Sequence, residues 1–223
     1  MTAYYGFIPT DVVRAEILDL LAKLAKSSST PLYPQSNRLA GVLTDDVIDN
    51  LLLLLVKALQ QAGGEGHGLM LFLGGFIKTT MHGLLKVMLG SPGNAEVDRR
   101  TDFIRAVFLS LPQQPPRIGF AMPEDLYRRF MNAFDEIDAG RGKAQTAVLV
   151  QAFAEFTDQA LIHFYDGFVD RLNLGFLLKK GASVARGQMK AQSTATFGKM
   201  IPALSQAELK ALSDYLRQRM VNS

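Results

Sequence analysis

Apolar residues in this chain recur at spacings of three and four almost from end to end, and runs that alternate apolar with polar are scarce. That period is the helical one, because positions three and four apart share a face of an α-helix whereas a strand face repeats every second residue. The expected class is therefore all-α. A single layer would leave each helix's apolar stripe uncovered, so the expectation is a bundle of seven or eight helices in at least two layers.

Start and stop signals divide the pattern. Thr10 followed by Asp11 is expected to cap a first helix with Val13, Ile17, Leu20, Leu21 and Leu24 on one face, ending at SSSTPLYP. Thr44 is expected to cap DDVIDNLLLLLVKALQQA, which stops at Gly63 and Gly64. The stretch GHGLMLFLGGFIKTTMHGLLKVMLG follows from Gly66 to Gly90, and Asn94 is expected to cap the next helix. Four of the nine prolines fall in PQQPPRIGFAMP. That stretch, 112–123, is expected to be a long loop or a subdomain boundary within a single helical domain spanning 1–223. Pro123 opens EDLYRRFMNAFDEID, the longest helix is expected from about Ala144 to Asn173, and Ser205 with Glu208 forms a capping box before the last helix.

Composition limits the chemistry. With 48% apolar and 20% charged residues the chain has the make-up of a globular protein, and at 223 residues it can bury roughly 70–75% of its unfolded surface. The absence of cysteine excludes thiol nucleophiles, disulfides, iron–sulfur ligation and cysteine-based zinc sites. The opening MTAYYGFIPTDVV has no basic start followed by an apolar run and a small-residue cleavage site, so a cytoplasmic location is expected. The uninterrupted apolar runs Leu51 to Val56 and Leu69 to Ile77 are shorter than the roughly 20 residues of a membrane span, so no transmembrane segment is expected.

The net charge of +3 is unevenly spread. Six of the 24 basic residues lie between Arg171 and Ala207 with no acidic residue among them, which leaves the remainder acidic by three. The segment 174–203, with its glycines and short polar residues, is expected to be a flexible basic arm. Its Lys179, Lys180 and Arg186 are candidates for an acidic protein, a nucleic acid backbone or an anionic membrane surface. The first 60 residues hold five basic and six acidic residues, the wrong balance for gripping DNA, so no sequence-specific DNA binding is expected.

Three polar groupings could carry chemistry. Lys78, His82 and Lys86 fall within an arc of about 80° on one side of their helix, a solvated stripe or an anion site. Beside them Gly75, Thr79 and Gly83 form a groove that admits a close-packed neighbour. Asp45, Asp46 and Asp49 have the spacing that isoprenoid diphosphate enzymes use for magnesium, yet Asp45 and Asp46 directly behind a capping threonine would serve as dipole-complementing acids. His163, Asp166 and Asp170 share a helix face and offer a possible base with an orienting carboxylate, although no nucleophile accompanies them.

Sharper sites fail on spacing. No histidine follows a glutamate at three residues, FDEIDAGRGKAQTAVL lacks oxygen ligands at the calcium-loop positions, and FGKM lacks the glycine of a phosphate loop. His82 or His163 as a haem ligand rests on a single residue. With no catalytic constellation, metal or cofactor expected, the reading is a non-catalytic binding or regulatory module. It would self-associate, most simply as a dimer, and contact a partner through helix faces and the basic segment. The alternatives are a small-molecule binder with an apolar inter-helix cavity for an acidic or amphipathic ligand, and third a magnesium-dependent diphosphate enzyme.

Overall fold

The computed structural model describes residues 2–64, 68–111 and 114–222. Gly66 and His67 of the glycine-rich stretch, and Pro112 and Gln113 of the proline-rich connection, lie outside the described residues. Helices make up 75% of the structure, eight of them when segments joined end to end are counted together, and a small sheet completes it.

The chain opens with strand β1 (Ala3–Phe7) and helix α1 (Asp11–Ala25), whose Thr10 accepts from the Val13 N–H at 3.4 Å as its sequence suggests. Helix α2 (Tyr33–Ile48) runs through a π-helical turn (Asp49–Leu53) into α3 (Leu54–Gln61). Thr44 is therefore inside a helix and caps nothing; the start is set by Pro34, whose missing donor costs nothing in the first turn. Helix α4 (Gly68–Met88) and helix α5 (Asn94–Val107) follow. Asn94 is the first helical residue of α5 rather than its cap. Its side chain accepts from the Leu32 N–H at 2.9 Å and donates to the Ser28 and Thr30 carbonyls, tying the loop between α1 and α2 to α5.

Strands β2 (Phe108–Leu109) and β3 (Arg117–Ala121) precede α6 (Glu124–Asp138). A 3-10 turn (Gly142–Gln145) leads into α7 (Thr146–Ala160), which passes through a second π-helical turn (Leu161–Asp166) into α8 (Gly167–Val169). Helices α9 (Phe176–Ala203) and α10 (Gln206–Arg217) and strand β4 (Met220–Asn222) complete the order. The Ser205 and Glu208 capping box forms at the head of α10.

Two further expectations need correction. The basic segment is not a flexible arm: from Phe176 it is one helix of 28 residues. Gly181, Gly187 and Gly198 lower its intrinsic helicity, but tertiary packing decides whether a helix forms. The small residues Ala182, Ala185, Ser193 and Thr196 are buried, which brings α9 close to α7. The second correction concerns the proline-rich stretch, which carries β3. The sheet order is β2-β3-β1-β4, all antiparallel, with Phe7 opposite Ile118 and Tyr5 opposite both Phe120 and Met220. Strands of two to five residues are too short to show a countable alternation, so the period that identifies the helices misses them.

Gly119 explains the close fit of β1 on β3. A Cβ there would lie 2.0 Å from the Tyr5 carbonyl oxygen and 2.6 Å from the Gly6 Cα, distances no side chain tolerates. The sheet meets the helices through Tyr5, which packs edge-on against Phe156 at 4.8 Å, and ring contacts continue between helices, Phe130 edge-on against Phe153 at 5.4 Å and Phe153 tilted by 34° against Phe197 of α9 at 4.7 Å. Such pairs add about 0.5–1.5 kcal/mol each beyond their area burial.

Gly119→Ala is expected to destabilise the protein by roughly 2–4 kcal/mol, because the strand pair must separate to admit the methyl group. Gly181→Ala, where nothing lies within 4 Å, is expected to stabilise by about 0.5–1 kcal/mol through reduced unfolded-chain entropy. Urea denaturation of the two variants checks both signs, and equal midpoints would contradict the packing described.

Candidate functional site

The cationic stripe and the aspartate cluster, read separately in the sequence, meet. Helices α2 and α4 pack side by side. Lys78 Nζ lies 2.7 Å from Asp49 Oδ1 and 3.5 Å from Asp45 Oδ1, and His82 Nε2 lies 3.0 Å from Asp45 Oδ1. Burial alone pulls the Lys78 ammonium down, but its bond to Asp49 and the charges of Asp49 and Asp45 hold it above its ordinary value.

Asp46 is engaged elsewhere: it is buried, accepts from the Thr10 N–H at 3.2 Å and contacts Asn50, and burial raises its carboxyl. The three carboxylates sit at the end of α2 and the start of its π turn, so they do not complement the N-terminus of their own helix, and Asp46 instead meets the N-cap of α1. They divide between two ties. Among the described residues no group of three or more His, Asp or Glu is placed to hold a metal ion.

His163 and Asp166 are not paired. The imidazole stacks on the Phe120 ring at 4.9 Å with an interplanar angle of 9°, and burial lowers its pKa. Asp166 instead receives the Arg186 Nε at 2.7 and 2.8 Å, while Arg186 Nη2 and Lys190 Nζ reach Asp158 at 3.2 and 3.0 Å. Arg186 is thus a clamp between α9 and the α7 helix rather than a free anion site. Asp170 is exposed at the end of that helix, and Lys179 and Lys180 are exposed at the start of α9.

One concavity is walled mainly by apolar side chains, and the sequence did not locate it by residue. A cavity of about 140 Å³ lies between α2, α4, α5, α7 and α9. Its wall includes Leu43, Met81, Phe103, Phe156, Phe164 and Met189, and both π-helical turns contribute, through Leu51 and Leu52 and through Leu161, Phe164 and Tyr165. A π turn inserts an extra residue into a helical turn and is frequent at functional sites. A single-residue insertion leaves no legible mark in an apolar run such as LLLLL.

The polar groups on the wall are mostly satisfied. Thr157 donates to the Phe153 carbonyl at 2.8 Å, Thr101 to Asp98 at 2.6 Å and the Tyr165 hydroxyl to Ala182 at 2.8 Å. Burial and the nearby Asp166 push the Tyr165 phenol up to about 12, so it stays neutral. Among the described residues Arg100 is the one charged wall residue; its Nη1 donates to the Leu89 carbonyl at 2.7 Å and its Nε to Glu96 at 3.2 Å.

Leu85 and Leu89 also line an open cleft together with His82, Lys86 and Asn37. These two leucines therefore stand between the apolar cavity and a cleft that carries two of the three stripe residues. Lys86 is exposed on that rim. Lys78, His82 and Lys86 do not enter the cavity wall.

Comparison with protein-family models, with curated proteins and with solved structures returns no match.

The lowered pKa of His163 fixes a pH dependence. The folded state resists protonating this ring, so the unfolded state binds more protons as pH falls through the ordinary histidine value near ~6.5, and stability is lost there. The thermal midpoint is expected to drop between neutral pH and pH ~5.5, and His163→Phe, which keeps the stacking on Phe120, to flatten that drop. Arg186→Ala is expected to cost about 1–3 kcal/mol by leaving Asp166 and Asp158 without their clamp. Calorimetric scans at two pH values test both variants; a wild-type slope in His163→Phe would refute the assignment.

Proposed function

We propose that this protein binds an amphipathic small molecule, its apolar part in the inter-helix cavity and its anionic group at the adjoining cleft. The carrying observation is the shared pair Leu85 and Leu89, which joins an apolar interior to a rim bearing Lys86 and His82. Ligand pockets are mostly apolar with a few placed polar groups, and spaces between helices are common locations. Arg100 supports the same orientation, since its guanidinium bonds to the Leu89 carbonyl at that end of the cavity. The wall offers no carboxylate, imidazole or amine among its described residues, which favours holding a molecule over transforming one.

Native mass spectrometry of freshly purified protein is expected to show a retained molecule that organic extraction removes. A dansyl-tagged fatty acid should bind, and the corresponding alcohol should bind less tightly. Ala160→Phe, which fills the cavity from α7, is expected to abolish binding of both. Lys86→Ala should weaken the acid by roughly three- to tenfold and leave the alcohol unchanged. Empty protein, with Ala160→Phe titrating like the wild type, would end this reading.

Self-association is a second reading, carried by the outer face of α4. Phe72 is 65% exposed there and Leu69 49%, beside Gly75 and Gly83, where nothing lies within 4 Å of an added Cβ. Apolar residues left together on a helix face mark contact surfaces. Sedimentation velocity across a range of concentrations is expected to show a dimer that Phe72→Glu dissociates; a concentration-independent monomer would remove it.

A further inference from the structure

Helix α9 begins Phe-Leu-Leu-Lys-Lys directly after Gly175. Phe176 is 79% and Leu177 80% exposed, the highest values among the described large apolar side chains. Val184, 53% exposed, continues the same face two turns on, with Lys180 between it and Phe176 at spacings of four. Lys179 and Lys180 are exposed and have no ion pair among the described residues, and the sequence holds no acidic residue from Arg171 to Ala207.

Behind this exposed tip the helix is anchored from Ala182 onward. On the opposite face Ala182, Ala185 and Met189 are buried, the Tyr165 hydroxyl bonds to the Ala182 carbonyl at 2.8 Å, and Arg186 is clamped to Asp166. Two large apolar side chains are thus presented to water at the end of an anchored helix, flanked by ammonium groups with no ion pair among the described residues.

We infer that the amino-terminal end of α9 docks on the surface of an anionic phospholipid bilayer. Phe176, Leu177 and Val184 enter the boundary between headgroups and acyl chains, while Lys179 and Lys180 extend their stems along it and place their charges among lipid phosphates. Charge complementarity selects this occupant over a second copy of the chain. A two-fold contact through this end would bring the Lys179 and Lys180 pairs of both copies together with no acidic residue of α9 between them. The surface is separate from the outer face of α4, and docking stands whether or not the cavity holds a ligand. The two features adjoin all the same, since Ala182 and Met189 share an apolar cluster with Leu85 and Leu89.

Flotation of the full chain with vesicles tests it. The protein is expected to float with phosphatidylcholine vesicles containing phosphatidylglycerol, to stay behind with phosphatidylcholine alone, and to be released by high salt. Lys179→Glu/Lys180→Glu should weaken binding by roughly 30-fold or more, and Phe176→Ser/Leu177→Ser by at least roughly tenfold. All four side chains are exposed, so both variants are expected to melt with the wild type. Failure to float with the anionic vesicles, or wild-type flotation of both variants, would overturn the inference. Binding that survives high salt and alkaline carbonate would overturn it in favour of an integral protein; α4, the one described helix long and apolar enough to cross a membrane, would be the element involved. A dimer seen by sedimentation and lost in Phe176→Ser/Leu177→Ser would assign the surface to a second copy instead.

Discussion

The seating of α9 along α7 is the contact on which the remaining arrangement depends. It is possible only because the inward face of α9 carries Ala182, Ala185, Ser193 and Thr196 where larger residues would hold the helices apart. Small residues contribute little burial of their own, so register must come from something directional. Arg186 supplies it, reaching Asp166 from one side and Asp158 from the other. Charge-assisted bonds of this kind are stronger than neutral ones and fix an angle as well as a distance. With α7 and α9 locked, Phe153 and Phe197 meet at 4.7 Å, and the aromatic rings carry the packing onward to the sheet.

That seating also accounts for what the sequence conceals. The helical class follows from periodicity, and the caps at Thr10 and Ser205 from local chemistry. These signals are local, so they survive folding unchanged. The long α9 does not follow from its residues, because Gly181, Gly187 and Gly198 argue against a helix until a neighbouring surface compensates. The sheet is hidden for a different reason: β1 and β4 are separated by most of the chain, and strands this short have no period to count. Thr44 and Asn94 illustrate a third limit. Each has the chemistry of a cap, but Tyr33–Gln61 runs unbroken through Thr44, and Asn94 is used to hold a distant loop.

The polar stripe of α4 shows how two ambiguous signals resolve each other. Neither Lys78 with His82 nor Asp45 with Asp49 has an assigned role when taken alone, and each could bind an ion of opposite sign. Packed together across α2 and α4 they neutralise one another at 2.7 to 3.5 Å. No periodicity within one helix could show this, because the pairing crosses some thirty residues of chain. Lys86, one turn beyond His82, lies past the reach of the aspartates and is the stripe's remaining free cation among the described residues. The stripe therefore divides: Lys78 faces the neighbouring helix, His82 reaches Asp45 from the edge of the cleft, and Lys86 faces the cleft alone.

The cavity itself has an energetic consequence. An unfilled apolar space costs about 24 cal/mol per Å³, so roughly 140 Å³ left empty would cost about 3 kcal/mol, a large fraction of a domain's net stability. Side chains on its wall could close it: Met81 and Met189 are unbranched and adapt readily to gaps. The two π turns, however, hold Leu51, Leu52, Leu161 and Phe164 in backbone positions that an ordinary helical turn would rotate away. A fold that keeps two uncommon backbone turns beside a costly space keeps both for one reason on the proposed reading. A ligand present at 100 times its dissociation constant contributes about 2.7 kcal/mol, which is close to the cost of the space it fills.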